Sequence, residues 1–368
     1  MSQYFQVIMT AATSFPFIAF LLTFPVLLIN YHRYGSISKW SIFMTYTFIF
    51  YLMCAYFLII LPLPPLSYVE HLTTPRYNLR PFVFILEFIR DNPFSLFHPH
   101  TWIPAIEAPT VIQPLFNIFL TVPFGFYLRN YFHRGIKQTL LLSFCLSLFF
   151  ELTQLSGLYG IYPRPYRLFD VDDLMLNTLG GVVGYLVAKP LVKWLPSKER
   201  ILQTASVRSQ TVSIFRRAVG FGCDIITLFM TMLLINLFPV FSKATSEIAI
   251  VLAIIVPQII WQKSLGMALV RIKVTNAIGN RPQWWQIVVR NLLAYGVTGG
   301  LIMIELQLMD SDIAISATHL SWIHILIIGL TIPILLIIID FIMEMFSKTH
   351  RLYFERFSGT DTRNTYEN

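Results

Sequence analysis

The chain has 368 residues, 55% of them hydrophobic and only 12% charged, with a formal net charge of +8 and a mean hydropathy of +0.64. Those values exclude a soluble domain of this length. They predict an all-α, polytopic membrane protein, and the positive charge, concentrated in short loops, sets topology and contacts anionic headgroups rather than a nucleic acid.

Nine windows reach the roughly 20 apolar residues that a bilayer requires: near 10–30, 40–63, 111–130, 138–158, 174–195, 217–241, 246–262, 286–307 and 320–346. The apolar piece from Pro81 to Ile89 is too short to span and reads as interfacial or re-entrant. No cleavable leader is expected, because MSQYFQ lacks a basic region and positive charges follow the first apolar stretch. Alternating the spans puts 21 of the 27 lysines and arginines on one side and 6 on the other. The rich side is cytoplasmic by the positive-inside rule. The N-terminus is then outside, the C-terminus is inside, and the loop joining spans four and five faces the exterior.

That loop and its flanks carry the most polar residues. Span three places Asn117 about one and a half turns inside the membrane. Glu151 and Gln154, three apart, share a face at the end of span four. Asp170, Asp173 and Asn177 follow at spacings of three and four on the first turns of span five, and Gly180 and Gly184 continue that face as a surface for close helix approach. Buried polar groups need partners, so Asn117, Glu151, Gln154, Asp173 and Asn177 define a candidate outward pocket, with Arg80 and Arg167 at its rim and Asn78 in the same loop. A structural alternative stands beside it. Asp170 or Asp172 suits the N-cap of span five, and Glu151 with Arg167 or Asp173 with Arg80 suits an ion pair. The Asp-Val-Asp-Asp string has oxygen ligands for a hard cation but lacks the glycine and distal glutamate of a calcium loop. His98 and His100 have zinc spacing without a third ligand, so no metal is expected. Cys54, Cys145 and Cys223 fall in spans and read as small apolar residues.

Residues 196–213 are polar and basic between two apolar blocks, which divides the chain into 1–195, a cytoplasmic linker and 214–368. No internal repeat relates the blocks. In the second, Arg217 and Asp224 lie seven residues, two helical turns, apart. The nearest charges for Asp224 are Arg216, Arg217 and Arg290, giving either a buried ion pair or an ion or proton site. Trp284 and Trp285 read as an interfacial anchor.

Four motifs in order resemble the VanZ-like family: NLRPF at 78–82, the Asn117 to Phe126 segment, Glu151 with Gln154, and the run from Arg167 to Gly184. The name-giving member is associated with teicoplanin resistance, so the resemblance implies a role in the envelope of a Gram-positive bacterium. Residues 214–230, the loop before Arg290 and the ERFSGT string resemble the RDD family, with Arg217 and Asp224 at the signature positions and Glu355 where a second aspartate is expected. That resemblance implies a transport-related role. The expectation is a plasma-membrane protein that binds or modifies a lipid or cell-wall precursor; a transporter or antiporter and a non-catalytic adaptor are the alternatives. No nucleophile–base pair or nucleotide loop occurs, no cofactor is implied, and Glu151 is the one candidate for a catalytic base.

Overall fold

The computed structural model describes residues 3–191, 196, 203–204, 207, 209–237, 245–312, 322–347 and 350–365. Half of the linker expected at 196–213 falls outside them, as does the start of the ninth predicted span. Among the described residues eight helices are long and apolar enough to cross a membrane, and the predicted seventh span, Thr245–Trp261, is an apolar helix short of 18 residues.

Two compact units form, residues 1–22 with 40–198, and residues 23–39 with 199–368. The first helix, α1 (Gln3–Tyr34), therefore contributes to both. In the first unit follow α2 (Lys39–Ile60), α3 (Leu66–Glu70), the short strand β1 (Tyr77–Asn78), α4 (Val83–Asp91) and α5 (Trp102–Glu107). Then come α6 (Pro109–Asn130), α7 (Ile136–Leu155), the one-turn α8 (Gly157–Gly160), β2 (Phe169–Asp170) and α9 (Val171–Leu191). The segment expected to be interfacial is α4, nine residues of which none is buried.

Helix α9 is seated between α6 and α7, and small residues let it in. A Cβ on Gly184 would lie 1.9 Å from the Val122 carbonyl oxygen of α6, and one on Gly180 would lie 2.1 Å from that of Ile118. On its other face Thr139, Ser143 and Ser147 of α7 are fully buried. This is the close approach that small residues permit between membrane helices, where dispersion and interhelical hydrogen bonds replace the hydrophobic effect. The apolar core of the unit lies toward the loop end and includes Ala55, Ile59, Leu120, Phe150 and Tyr162. Tyr51 of α2 donates to the Leu120 carbonyl of α6 at 2.8 Å.

The second unit contains α10 (Ile214–Ile235), α11 (Thr245–Trp261), α12 (Leu265–Leu269) and β3 (Ile272–Asn276). A long helix α13 (Trp284–Asp312) follows, then α14 (Trp322–Phe346), α15 (Tyr353–Ser358) and β4 (Thr360–Asn364). Strands β3 and β4 pair antiparallel with Val274 opposite Thr362, while β1 and β2 pair in parallel in the first unit. The all-α expectation thus needs two small ribbons added, both formed by loop segments brought together by the helices. Helices α11 and α13 each contain a π-helical stretch, Val251–Ile255 and Leu292–Val297. The core of this unit is Val212, Val219, Val270 and Ile272 closed by Tyr31 from α1. His32 of α1 donates through Nδ1 to the Leu269 carbonyl at 2.8 Å.

Candidate functional site

In the first unit a cavity of about 610 Å³ is lined by Asn117, Glu151, Gln154, Arg167, Asp170, Asp173 and Asn177, all of them picked out by the sequence. Its remaining wall is largely apolar and includes Leu58, Ile59, Ile112, Phe116 and Leu120. Asp170 has two tasks. It precedes the first residue of α9, and its Oδ1 accepts from the Asp172 N–H at 2.9 Å, the bond of an N-cap, and from Asn78 Nδ2 at 3.2 Å. Its own N–H donates to Glu151 Oε2 at 3.0 Å, which ties the start of α9 to the end of α7. Burial pushes the Asp170 carboxyl above the usual aspartate range against the lowering effect of these bonds, and the neighbouring Asp172 charge adds to the rise.

Asp172 faces elsewhere. Its two oxygens accept from the Phe82 and Phe84 N–H groups at 2.6 and 3.0 Å, capping the start of α4, where Phe82 has a left-handed φ of 67°. Asp173 accepts from Asn117 Nδ2. Asn177, 3% exposed, donates to Ser147 Oγ at 3.1 Å, and Ser147 in turn donates to the Asp173 carbonyl at 3.3 Å. Gln154 donates to the Ile59 carbonyl at 3.3 Å. Arg167 is exposed and donates to the Leu61 carbonyl at 3.1 Å.

Two expectations are corrected. Among the described residues no salt bridge joins Glu151 to Arg167 or Asp173 to Arg80, because Arg167 is drawn to the α2 terminus and Arg80 is exposed. Asn78 and Arg80 do not line the cavity. Asn78 acts one step behind it, bonding Asp170 and accepting the Arg80 N–H at 3.1 Å. Gln113 does line the cavity and Ser147 supports Asn177, and sequence reasoning missed both. Each lies four residues before a chosen residue, Gln113 before Asn117 and Ser147 before Glu151, on the same helix face. His98 is occupied by Ser95, whose Oγ lies 2.8 Å from its Nδ1.

The second unit has its own cavity of about 420 Å³, lined among others by Arg217, Asp224, Gln258, Arg290, Asn291 and Tyr295. Glu355 is fully buried beside it. Its carboxylate accepts from Arg217, from Arg290 at 2.9 Å, from Thr362 Oγ1 and from the Leu352 N–H at 3.1 Å. Burial by itself would raise the Glu355 carboxyl, but Arg290 and Arg217, aided by Thr362, hold it below the usual glutamate range. The three residues Arg217, Arg290 and Glu355 therefore come together from α10, α13 and α15.

Asp224 does not join them. Its Oδ2 accepts from Ser264 Oγ at 2.6 Å and its Oδ1 from the Gly266 N–H at 2.8 Å. The expected arginine partner is corrected on physical grounds. The first N–H groups of α12 have no intrahelical acceptor, and Asp224 answers that need two turns from Arg217. Arg216, 1% exposed, is satisfied by the Val270 carbonyl at 2.7 Å, the Arg271 carbonyl at 2.8 Å and Asn364 Oδ1 at 2.9 Å. Asn291 donates to Gln258 Oε1 at 2.9 Å across the cavity wall.

Comparison with known proteins adds the family assignments. A family model described as VanZ/LLP1 matches residues 48–193, and one described as RDD family matches residues 211–359. No curated protein and no solved structure matches the chain. With eight helices able to span a bilayer, the chain is a multi-pass membrane protein of the cell envelope in which a VanZ-like domain precedes an RDD-family domain.

Proposed function

We propose that this protein works in the plasma membrane of a Gram-positive bacterium, where its VanZ-like unit holds a lipid or cell-wall precursor in the 610 Å³ cavity and contributes to teicoplanin-type glycopeptide tolerance. One observation carries the reading. Glu151, Asp173 and Asn177, which are costly to place among apolar helices, line an open cavity with apolar walls instead of neutralising basic residues. The charge count of 21 against 6 supports an external position for the cavity mouth and a cytoplasmic C-terminus.

Two experiments test this. In a susceptible host expressing the full chain, Asn177→Ala and Glu151→Gln lower teicoplanin tolerance at unchanged protein level; unchanged tolerance with normal accumulation removes the cavity from the function. In a background free of native cysteines, a cysteine between 155 and 166 reacts with an impermeant maleimide on intact cells and one at 205 does not, and the reverse pattern defeats the external assignment.

A second reading attaches to the RDD-like unit. Asp224 lines a cavity beside Gln258, Asn291 and Tyr295, and both helices supplying those three contain a π-helical stretch, a distortion that recurs at functional sites. Ion or proton exchange through Asp224 predicts that Asp224→Asn abolishes flux in proteoliposomes while leaving yield intact. Flux equal to that of the unsubstituted protein rejects it.

A further inference from the structure

Three amides of the first cavity, Asn117, Gln154 and Asn177, have partners that fix their direction. Gln154 Nε2 meets the Ile59 carbonyl and Asn117 Nδ2 meets the Asp173 carboxylate, groups that only accept. Asn177 Nδ2 meets Ser147 Oγ, whose one proton is already given to the Asp173 carbonyl. Rotating any of the three would set an oxygen against an oxygen. Each of the three commits one of its two N–H donors to the protein, and that bond fixes which way its carbonyl oxygen points.

The carboxylates follow the same pattern. Glu151 uses Oε2 on the Asp170 N–H and Asp173 uses Oδ1 on Asn117, which leaves one oxygen of each without a partner among the described residues. Asn177 Oδ1 is buried and has no hydrogen-bond partner among the described residues. An orphaned buried carbonyl oxygen beside two half-used carboxylates calls for a donor that the chain itself does not supply. Arg167 supplies a cation only at the rim, where its NH2 is engaged with Leu61 and the rest of the guanidinium is exposed.

Resting on the proposed pocket reading, we infer that the ligand is an amphiphile with a zwitterionic aminophosphate headgroup: a primary ammonium enters first, donating to Glu151, Asp173 and Asn177, the phosphate follows against Arg167, and the acyl chains lie along Leu58, Ile112 and Phe116. The order of charges is the argument. The interior holds two carboxyl groups with no basic partner, the mouth carries the Arg167 guanidinium and the flank is apolar, which selects against an anionic group leading and against an ammonium without N–H donors.

The test uses the purified full-length protein in detergent, with native mass spectrometry of retained lipid after addition of equal amounts of phosphatidylethanolamine, phosphatidylcholine and phosphatidylglycerol of the same acyl composition. Retention of phosphatidylethanolamine exceeds that of either other lipid by about tenfold, the equivalent of one charge-assisted hydrogen bond. Glu151→Gln and Asp173→Asn each erase the preference. Equal retention of phosphatidylcholine, or preference for phosphatidylglycerol, overturns the ammonium assignment while leaving a lipid pocket in place. Retention of no lipid at all overturns the pocket reading with it. Displacement by an equal concentration of soluble glycerophosphoethanolamine overturns the assignment to a lipid.

Discussion

Glu355→Gln isolates the buried charge cluster of the RDD-like unit. The wild-type carboxylate serves two guanidiniums, a hydroxyl and a backbone N–H while being fully buried. Glutamine keeps one acceptor oxygen, turns an NH2 toward at least one of the arginines and leaves Arg217 and Arg290 facing each other without a counter-charge. Removing one member of a buried ion pair costs about 3–5 kcal/mol. At about 2–4 °C per kcal/mol for a unit of this size, the unfolding midpoint in detergent falls by roughly 10 °C. Glu355→Asp keeps the charge and recovers most of the loss. The pH dependence carries a separate sign. Because the folded-state carboxyl titrates below its ordinary value of 4.5, its stabilisation is present above that pH and disappears as the pH falls through the lower folded value. Wild type therefore loses midpoint on acidification below pH 4.5 by a component that Glu355→Gln lacks. A midpoint for Glu355→Gln within about 2 °C of wild type at pH 7, less than 1 kcal/mol on the same scale, would refute the claim that this carboxylate holds the three elements together.

Three more outcomes follow from the geometry. Asp172→Ala strips the cap from α4 and costs about 3 kcal/mol, since two charge-assisted bonds to backbone N–H groups go, whereas Asp170→Asn costs under about 1 kcal/mol because asparagine caps as well; thermal unfolding of the two variants side by side separates these tasks, and equal midpoints defeat the distinction. Gly184→Val drives a side chain into the Val122 carbonyl and destabilises the first unit by at least about 2 kcal/mol, while Gly299→Ala, with open space around its Cβ, is near neutral; a folded Gly184→Val with a wild-type midpoint contradicts the helix contact. Asp224→Asn combined with Arg217→Gln shows additive losses within about 0.5 kcal/mol in a double-mutant cycle, because the two side chains serve different partners; recovery of stability in the double variant restores the ion-pair account.

The cavity residues were legible where helical spacing governs them. Asp173 and Asn177 lie on one face of α9 by counting alone, with Asp170 in step just before the helix, and the glycines below them mark the close contact with α6. Legibility fails where the partner is distant and uncharged. Asp172 answers backbone N–H groups about 90 residues earlier, and Asp224 answers a serine and a glycine N–H about 40 residues later, so matching charge to charge finds neither. Arg80 is expected at the rim with Arg167, but the neighbouring asparagine supports the site and the arginine side chain is exposed. Gln113 and Ser147 are hidden in the sequence for a different reason. In apolar helices a glutamine or a serine is a weaker departure than a carboxylate, although the two lie in register with Asn117 and Glu151.

The division of α1 between the two units bears on how the chain can be cut and how it is made. Residues 23–39 group with residues 199–368, and Tyr31 closes a core whose other members, Val212, Val219, Val270 and Ile272, are synthesised about 180 to 240 residues later. A gene truncated at the apparent boundary near 196 would encode a C-terminal fragment missing one wall of its own interior, however complete its family signature looks. On the ribosome the same feature obliges the second half of the first helix to wait for its neighbours until about three quarters of the chain has been made.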